Sequence, residues 1–153
     1  MIRRRAFITL LGGAATWPLA VRAQQRERMR RIGVLMTGDE NDPEWKPRLS
    51  AFAQALAALG WTDGRTMRMD VRWGGGDTNR IRALAQELAG LQPDIIVTNA
   101  TPATAAVQRE TRTIPIVFAN LADPVVSGIV ARLDGPSGNV TGFAGTLDGR
   151  KVA

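Results

Sequence analysis

The chain has 153 residues, enough for one domain of the usual ~100–200 residues and too few for two full lobes. With 44% hydrophobic and 22% charged residues it should fold, and the lack of any Cys or His removes thiolate nucleophiles, disulfides, Cys/His zinc sites and imidazole acid–base chemistry. The net charge of +6 does not indicate a nucleic-acid partner, because four of the 20 basic residues and none of the 14 acidic ones fall within residues 1–23, leaving +2 on the remainder.

Residues 1–23 read as an export signal: a basic start, an apolar run from Ala6 to Ala20 and a small-residue exit. The apolar run is broken by Gly12, Gly13 and Pro18 and is shorter than a bilayer-spanning helix requires. Val21 and Ala23 stand at −3 and −1 of a cleavage before Gln24. Arg4-Arg5-Ala6-Phe7-Ile8 is similar to the twin-arginine motif, in which a paired Arg is followed by a free position, Phe and an aliphatic residue. An ordinary secretory signal with a chance Arg pair is the alternative. On either route the expected product is soluble and periplasmic, with an export translocase as a partner. Residues 24–29 form a lead-in, and residues 30–153 the folded lobe.

From Arg30 onward, short aliphatic runs alternate with amphipathic stretches, the pattern of a doubly wound parallel α/β sheet. Ile32–Met36 predicts a buried first strand. Asp42-Pro43-Glu44 predicts a helix start with Asp as cap and Pro in the first position, and Leu49, Phe52, Ala53, Leu56 and Leu59 form its apolar stripe up to Gly60. Met67–Trp73 alternates apolar and charged residues, as an edge strand does. Gly74-Gly75-Gly76 lacks the spacing of a phosphate cradle and reads as a flexible connector. Asp77 caps a second helix, whose stripe is Ile81, Leu84, Ala85, Leu88 and Leu91. A third strand over Asp94–Asn99, a third helix from Thr101-Pro102 to Glu110 and a fourth strand over Ile114–Phe118 follow. Asp123-Pro124 predicts a fourth helix to about Leu133, and Val140–Phe143 a fifth strand after a turn.

In such a sheet the helix starts gather at the carboxyl ends of the strands, where ligands bind. Three segments converge there: Thr37–Asp42, Asn99–Thr104 and Asn120–Asp123. Thr101-Pro102-Ala103-Thr104 offers a hydroxyl and a helix start that attract a carboxylate or phosphate, although Thr is also an ordinary cap. Asp123 reverses the sign and suits an ammonium, although it too serves as a plain cap. Together they fit a zwitterion such as an amino acid. Asp39-Glu40-Asn41-Asp42 is not a calcium loop, since Pro43 falls where a ligand belongs and no Gly follows. Of the tryptophans, Trp45 lies nearest the expected crevice, and Trp61 and Trp73 read as structural. No metal site, cofactor site or catalytic constellation emerges.

Several stretches in order resemble the periplasmic substrate-binding components of ABC transporters, a family that includes receptors for tryptophan and related amino acids. They are the leader Arg3–Gln25, Arg31–Met36, Gly60-Trp61 with Gly64-Arg65, Arg72-Trp73, Thr101-Pro102-Ala103, Ile114–Phe118, Asp123-Pro124-Val125 and Gly138–Gly142. The resemblance implies a periplasmic-binding-protein-like lobe of flavodoxin-like topology, a non-enzymatic role, a small-molecule ligand held between two lobes, and an ABC permease as partner. Carried over by position, the ligand-binding residues are Thr37, Gly38, Thr101, Thr104, Asn120 and Asp123, and Asn99 joins them from its place at the end of the third strand. Family members are considerably longer, so the chain reads as a receptor shortened to its N-terminal lobe and weakened as a binder. The alternative is an exported, cofactor-binding oxidoreductase domain, which lacks its dinucleotide fingerprint here.

Overall fold

A computed structural model describes residues 29–132 and 137–145. The leader positions Arg4, Arg5, Phe7, Val21 and Ala23 and the chain from Leu133 to Pro136 lie outside the described residues. The elements run β1 (Arg30–Met36), α1 (Trp45–Ala58), β2 (Met67–Trp73), α2 (Thr78–Gly90), β3 (Ile95–Asn99), α3 (Ala100–Glu110), β4 (Ile116–Leu121) and β5 (Val140–Ala144). The five strands form one parallel sheet in the order β2-β1-β3-β4-β5, so the alternating β2 is an edge strand, as its sequence predicts.

This order fixes which face each helix covers. A crossover between parallel strands is right-handed, so α1, leading from β1 to the edge, lies on one face. The next two crossovers run the other way and put α2 and α3 on the opposite face. There Leu35, Ile96, Ile116, Phe118 and Val140 pack with Ile81, Ala85 and Leu88 of α2 and Ala103, Ala106 and Val107 of α3. Fully burying a Leu, Ile or Phe stabilises by about 1.5–3 kcal/mol each, so this face holds the lobe together.

The α1 face is covered far less. Val34 and Met36 are buried, yet α1 itself has no buried residue. Leu49, Phe52, Ala53 and Leu56 are only half-buried and Leu59 is 75% exposed. On the same face Val97 and Val117 are half-buried and Phe143, on the β5 edge, is 76% exposed.

Four expectations need correction. Asp42 does not cap α1: its Oδ1 accepts the Glu44 N–H at 2.8 Å in a tight turn, and the helix begins at Trp45 with Glu44 in the cap position. The fourth helix does not form. Turns span residues 124–128, and the Pro124 carbonyl accepts the N–H groups of both Ile129 and Val130, which tucks those two side chains into the core. Val125, Val126, Ile129 and Val130 are β-branched and poor helix formers, so burial decides the conformation. β4 is displaced toward its carboxyl end relative to the expected Ile114–Phe118, because Ile114 and Thr111 close a turn first, the Thr111 Oγ1 accepting the Ile114 N–H at 3.1 Å. The glycine run is a fitted joint rather than a loose connector. Gly74 donates to Met36 O at 2.8 Å, Gly75 to Gly38 O at 2.9 Å and Gly76 to Thr37 O at 2.8 Å. A Cβ at Gly74 would collide with Ile81.

At the amino ends of the strands, charge is neutralised locally. Arg31 Nε donates to Asp70 Oδ2 at 2.6 Å and Arg68 Nε to Asp70 Oδ1 at 3.3 Å, with Asp70 only 8% exposed. The Arg31 hydrogen bond holds the Asp70 carboxyl below its ordinary value of 3.8, outweighing the opposite push of burial, and the charges of Arg31 and Arg68 add to the lowering. Among the described residues, no helix is long and apolar enough to cross a membrane.

Candidate functional site

From β1 the chain leaves toward β2 on one side, and β3 lies on the other, so strand order reverses between β1 and β3. The gap between their carboxyl ends is the place where open α/β sheets bind ligands. Asn99, the last residue of β3, spans it: its Oδ1 accepts the Thr37 N–H at 2.8 Å, tying the end of β3 to the turn after β1. That bond also fixes the amide, because an N–H donor selects the oxygen. Nδ2 is left with no hydrogen-bond partner, in a residue only 4% exposed. Leaving a buried donor unpaired costs about 1–3 kcal/mol.

Asn99 occupies the N-cap position of α3 without capping it, since its side chain makes no bond to the first turn. Ala100 follows with φ +56. This left-handed conformation costs a non-glycine residue about 1–2 kcal/mol. The conformation is held from below: Thr104 Oγ1 donates to the Ala100 carbonyl at 2.9 Å and pairs with Thr98 Oγ1 at 2.8 Å. Thr104 is 0% exposed, so its hydroxyl is spent inside the fold. Its place in the expected site is therefore indirect, as a brace for Ala100. Thr101 remains half-buried at the helix start.

The Thr37–Gly38 turn is clamped from two further sides. The glycine run donates to both of its carbonyls. The Trp45 indole packs so closely on Gly38 that a Cβ there would lie 2.7 Å from Trp45 Cδ1. Trp45 in turn carries the Arg48 guanidinium 4.7 Å above its ring, and Arg48 pairs with Glu44 at 2.8 Å. Next to this turn, Asp39, Glu40, Asn41, Arg72, Trp73 and Arg80 help to line an open depression of about 270 Å³.

At the end of β4, Asn120 is exposed with φ +59, and the β4–β5 register slips between Ala119 and Leu121. Asp123 is exposed and its Oδ1 accepts the Val126 N–H at 2.9 Å, so it caps a turn. Of the residues expected from sequence, direct bonds join Thr37 to Asn99. Gly38 and Thr101 adjoin them in the chain, Asn120 and Asp123 stand at the next strand end, and Thr104 is withdrawn. Sequence reasoning missed Ala100 and the role of Gly75 and Gly76. The only signal for the latter was the glycine run itself, whose partner lies far away in the chain.

Comparison with known proteins bears on the fold and the family. A curated tyrosine-binding protein of Clostridioides difficile is 28% identical over 121 residues, covering 79% of this chain and 34% of its own. A solved structure of an ABC domain in complex with L-Trp, from Streptococcus pneumonia, superposes with a TM-score of 0.70 at 27% identity, over 76% of this chain and 39% of that one. A ligand-free, open substrate-binding protein with adhesive properties from Clostridium difficile gives 0.73 at 26% identity, over 79% and 40%. A conserved domain protein from Vibrio cholerae gives 0.73 at 28%, over 78% and 40%. The chain thus spans well under half the length of these relatives. The family model for ABC transporter substrate binding proteins matches residues 41–152. With most of the described lobe inside that match, the chain belongs to the ABC transporter substrate-binding protein family.

Proposed function

We propose that this chain supplies one wall of a solute-binding cleft in an ABC import system, that its ligand is an amino acid with an aromatic side chain, and that its role is binding rather than catalysis. The observation that carries the reading is the pairing of two unfavourable local features at one sheet end, the unpartnered Asn99 Nδ2 and the left-handed Ala100 beside it. Folds tolerate such features where a site needs them. The tyrosine and tryptophan named for two relatives support the ligand class. Thr37, Gly38, Asn99, Thr101, Asn120 and Asp123 would face the ligand, with Thr104 bracing Ala100.

The same reading takes residues 1–23 as an export leader, with Arg4, Arg5 and Phe7 addressing the twin-arginine translocase and Val21 and Ala23 marking the cut. The lobe from residue 30 then works outside the cytoplasm and hands its ligand to an inner-membrane permease. A cleft shared with a second wall gives each wall only part of the contacts, so affinity of this chain alone is expected in the millimolar range. Titrating the ¹⁵N-labelled chain with L-tyrosine and L-tryptophan tests this. Amide shifts gathered at residues 37–38, 99–104 and 120–123 are expected. No shift in those segments overturns the assignment, and micromolar binding by the chain alone overturns the shared-cleft part of it.

A further inference from the structure

We infer that Asn99 is the residue that reads the ligand's carboxylate: its Nδ2 donates a hydrogen bond to one carboxylate oxygen of a free amino acid at the start of α3. This rests on the ligand-binding reading above and adds an orientation to it, with the carboxylate at β3 and the ammonium toward Asp123 at the neighbouring strand end.

Two independent observations lead there. The first is the orphaned donor. Among the described residues, Asn99 Nδ2 is the buried side-chain polar atom left without a partner, whereas buried Asp70, Thr98, Thr104 and Thr111 all have theirs. The Thr37 N–H settles which end of the amide is nitrogen, so the orphan is a donor and wants an acceptor. The second is the helix start. Asn is among the best N-cap residues, yet this one turns away from α3 and no side chain caps the helix. The positive end of the helix dipole is therefore not offset by a side-chain oxygen, and an anionic oxygen is what it favours. The Asn99 amide bridges the Thr37–Gly38 turn and the start of α3, and because Nδ2 is itself buried, a ligand oxygen meets it only where these two segments part. A carboxylate satisfies both features at once, one oxygen for each. An amine or an apolar group satisfies neither.

The test compares L-tryptophan with tryptamine, which keeps the indole and ammonium and lacks the carboxylate, on the full chain and its Asn99→Asp variant. Aspartate preserves the acceptor for Thr37 N–H and replaces the donor with an oxygen. In the wild type, L-tryptophan is expected to move the Asn99 side-chain ¹⁵N–¹H₂ signals and tryptamine to leave them in place. Asn99→Asp is expected to weaken L-tryptophan at least about tenfold and not to weaken tryptamine, whose ammonium the added carboxylate attracts. Should the variant fail to fold, the wild-type side-chain signals decide alone. If L-tryptophan shifts the Gly38 and Thr101 amides but leaves the Asn99 side chain unmoved, or if a folded Asn99→Asp variant binds it as well as wild type, Asn99 is not the reader and the binding function stands. If L-tryptophan perturbs none of the three loops, the binding function fails first and this inference with it.

Discussion

Two asparagines, one near each end of the sheet, stand in opposite circumstances. At the amino end, Asn139 Nδ2 donates to Ile114 O at 2.7 Å and to Thr111 O at 3.4 Å, fastening the approach to β5 onto the approach to β4. At the carboxyl end, Asn99 uses its oxygen and leaves its nitrogen idle. Their surroundings repeat the contrast. The amino end has the Arg31–Asp70–Arg68 cluster and the Arg30–Asp94 pair, where each carboxylate meets a guanidinium. It also has left-handed Gln92, but there the conformation ends α2, with Gln92 N–H bonded to Ala89 O at 3.0 Å, an ordinary way to stop a helix. Left-handed Ala100 begins a helix, where no capping rule asks for it. Stability is held at one end of the sheet and given up at the other, which is the distribution expected when the second end is kept for a ligand.

The largest effect that would break this contrast is at Asp70. Asp70→Ala leaves Arg31 without its main partner and should destabilise by about 2–3 kcal/mol in urea unfolding, with the loop signals at residues 37–38 and 99–104 unchanged. If those loops shift as well, the two ends are not independent. The same residue sets an acid limit. Its folded carboxyl is held below 3.8, so as pH falls the unfolded chain takes up the proton first. This part of the stability is present above about pH 5 and declines through pH 4 and below. Unfolding of wild type and Asp70→Ala across that range should show the slope shrinking in the variant.

Next come the asparagines themselves. Asn139→Ala removes two bonds to backbone carbonyls and should cost about 1–2 kcal/mol. Asn99→Ala loses the Thr37 bond but also discards the idle donor, so its cost should be under about half of that. Equal costs at the two sites would show that Asn99 is as structural as Asn139. Ala100→Gly has the opposite sign: it relieves the left-handed backbone and should stabilise by at most about 0.5 kcal/mol, because glycine's looser unfolded chain offsets part of the gain. A destabilisation there, measured by the same unfolding curve, would mean that the Ala100 methyl packs usefully in the fold.

Most of the fold was legible because it rests on local patterns. Alternation in Met67–Trp73 gave the edge strand, the aliphatic runs gave the inner strands, and Asp77 capped α2 as read, accepting the Arg80 N–H at 2.8 Å. The failures occurred where distant contacts override local preference. The Pro124 carbonyl gathers two N–H groups and sends Ile129 and Val130 inward, which a helix-start signal at Asp123-Pro124 cannot reveal. The three candidate loops were legible as strand-end segments, but the bonds that support them were not. That Thr104 turns inward to hold Ala100, and that Asn99 reaches across to Thr37, depends on strand order, and strand order is not written in any one segment.

The lacing of the rim has a practical consequence. Gly75 and Gly76 hang from the carbonyls of Gly38 and Thr37, Thr37 hangs from Asn99, and Trp45 is wedged on Gly38. These segments therefore form one plate, not separate fingers. An engineer who grafts a new side chain onto any of them to change selectivity will tilt the others too, and should redesign the whole plate together.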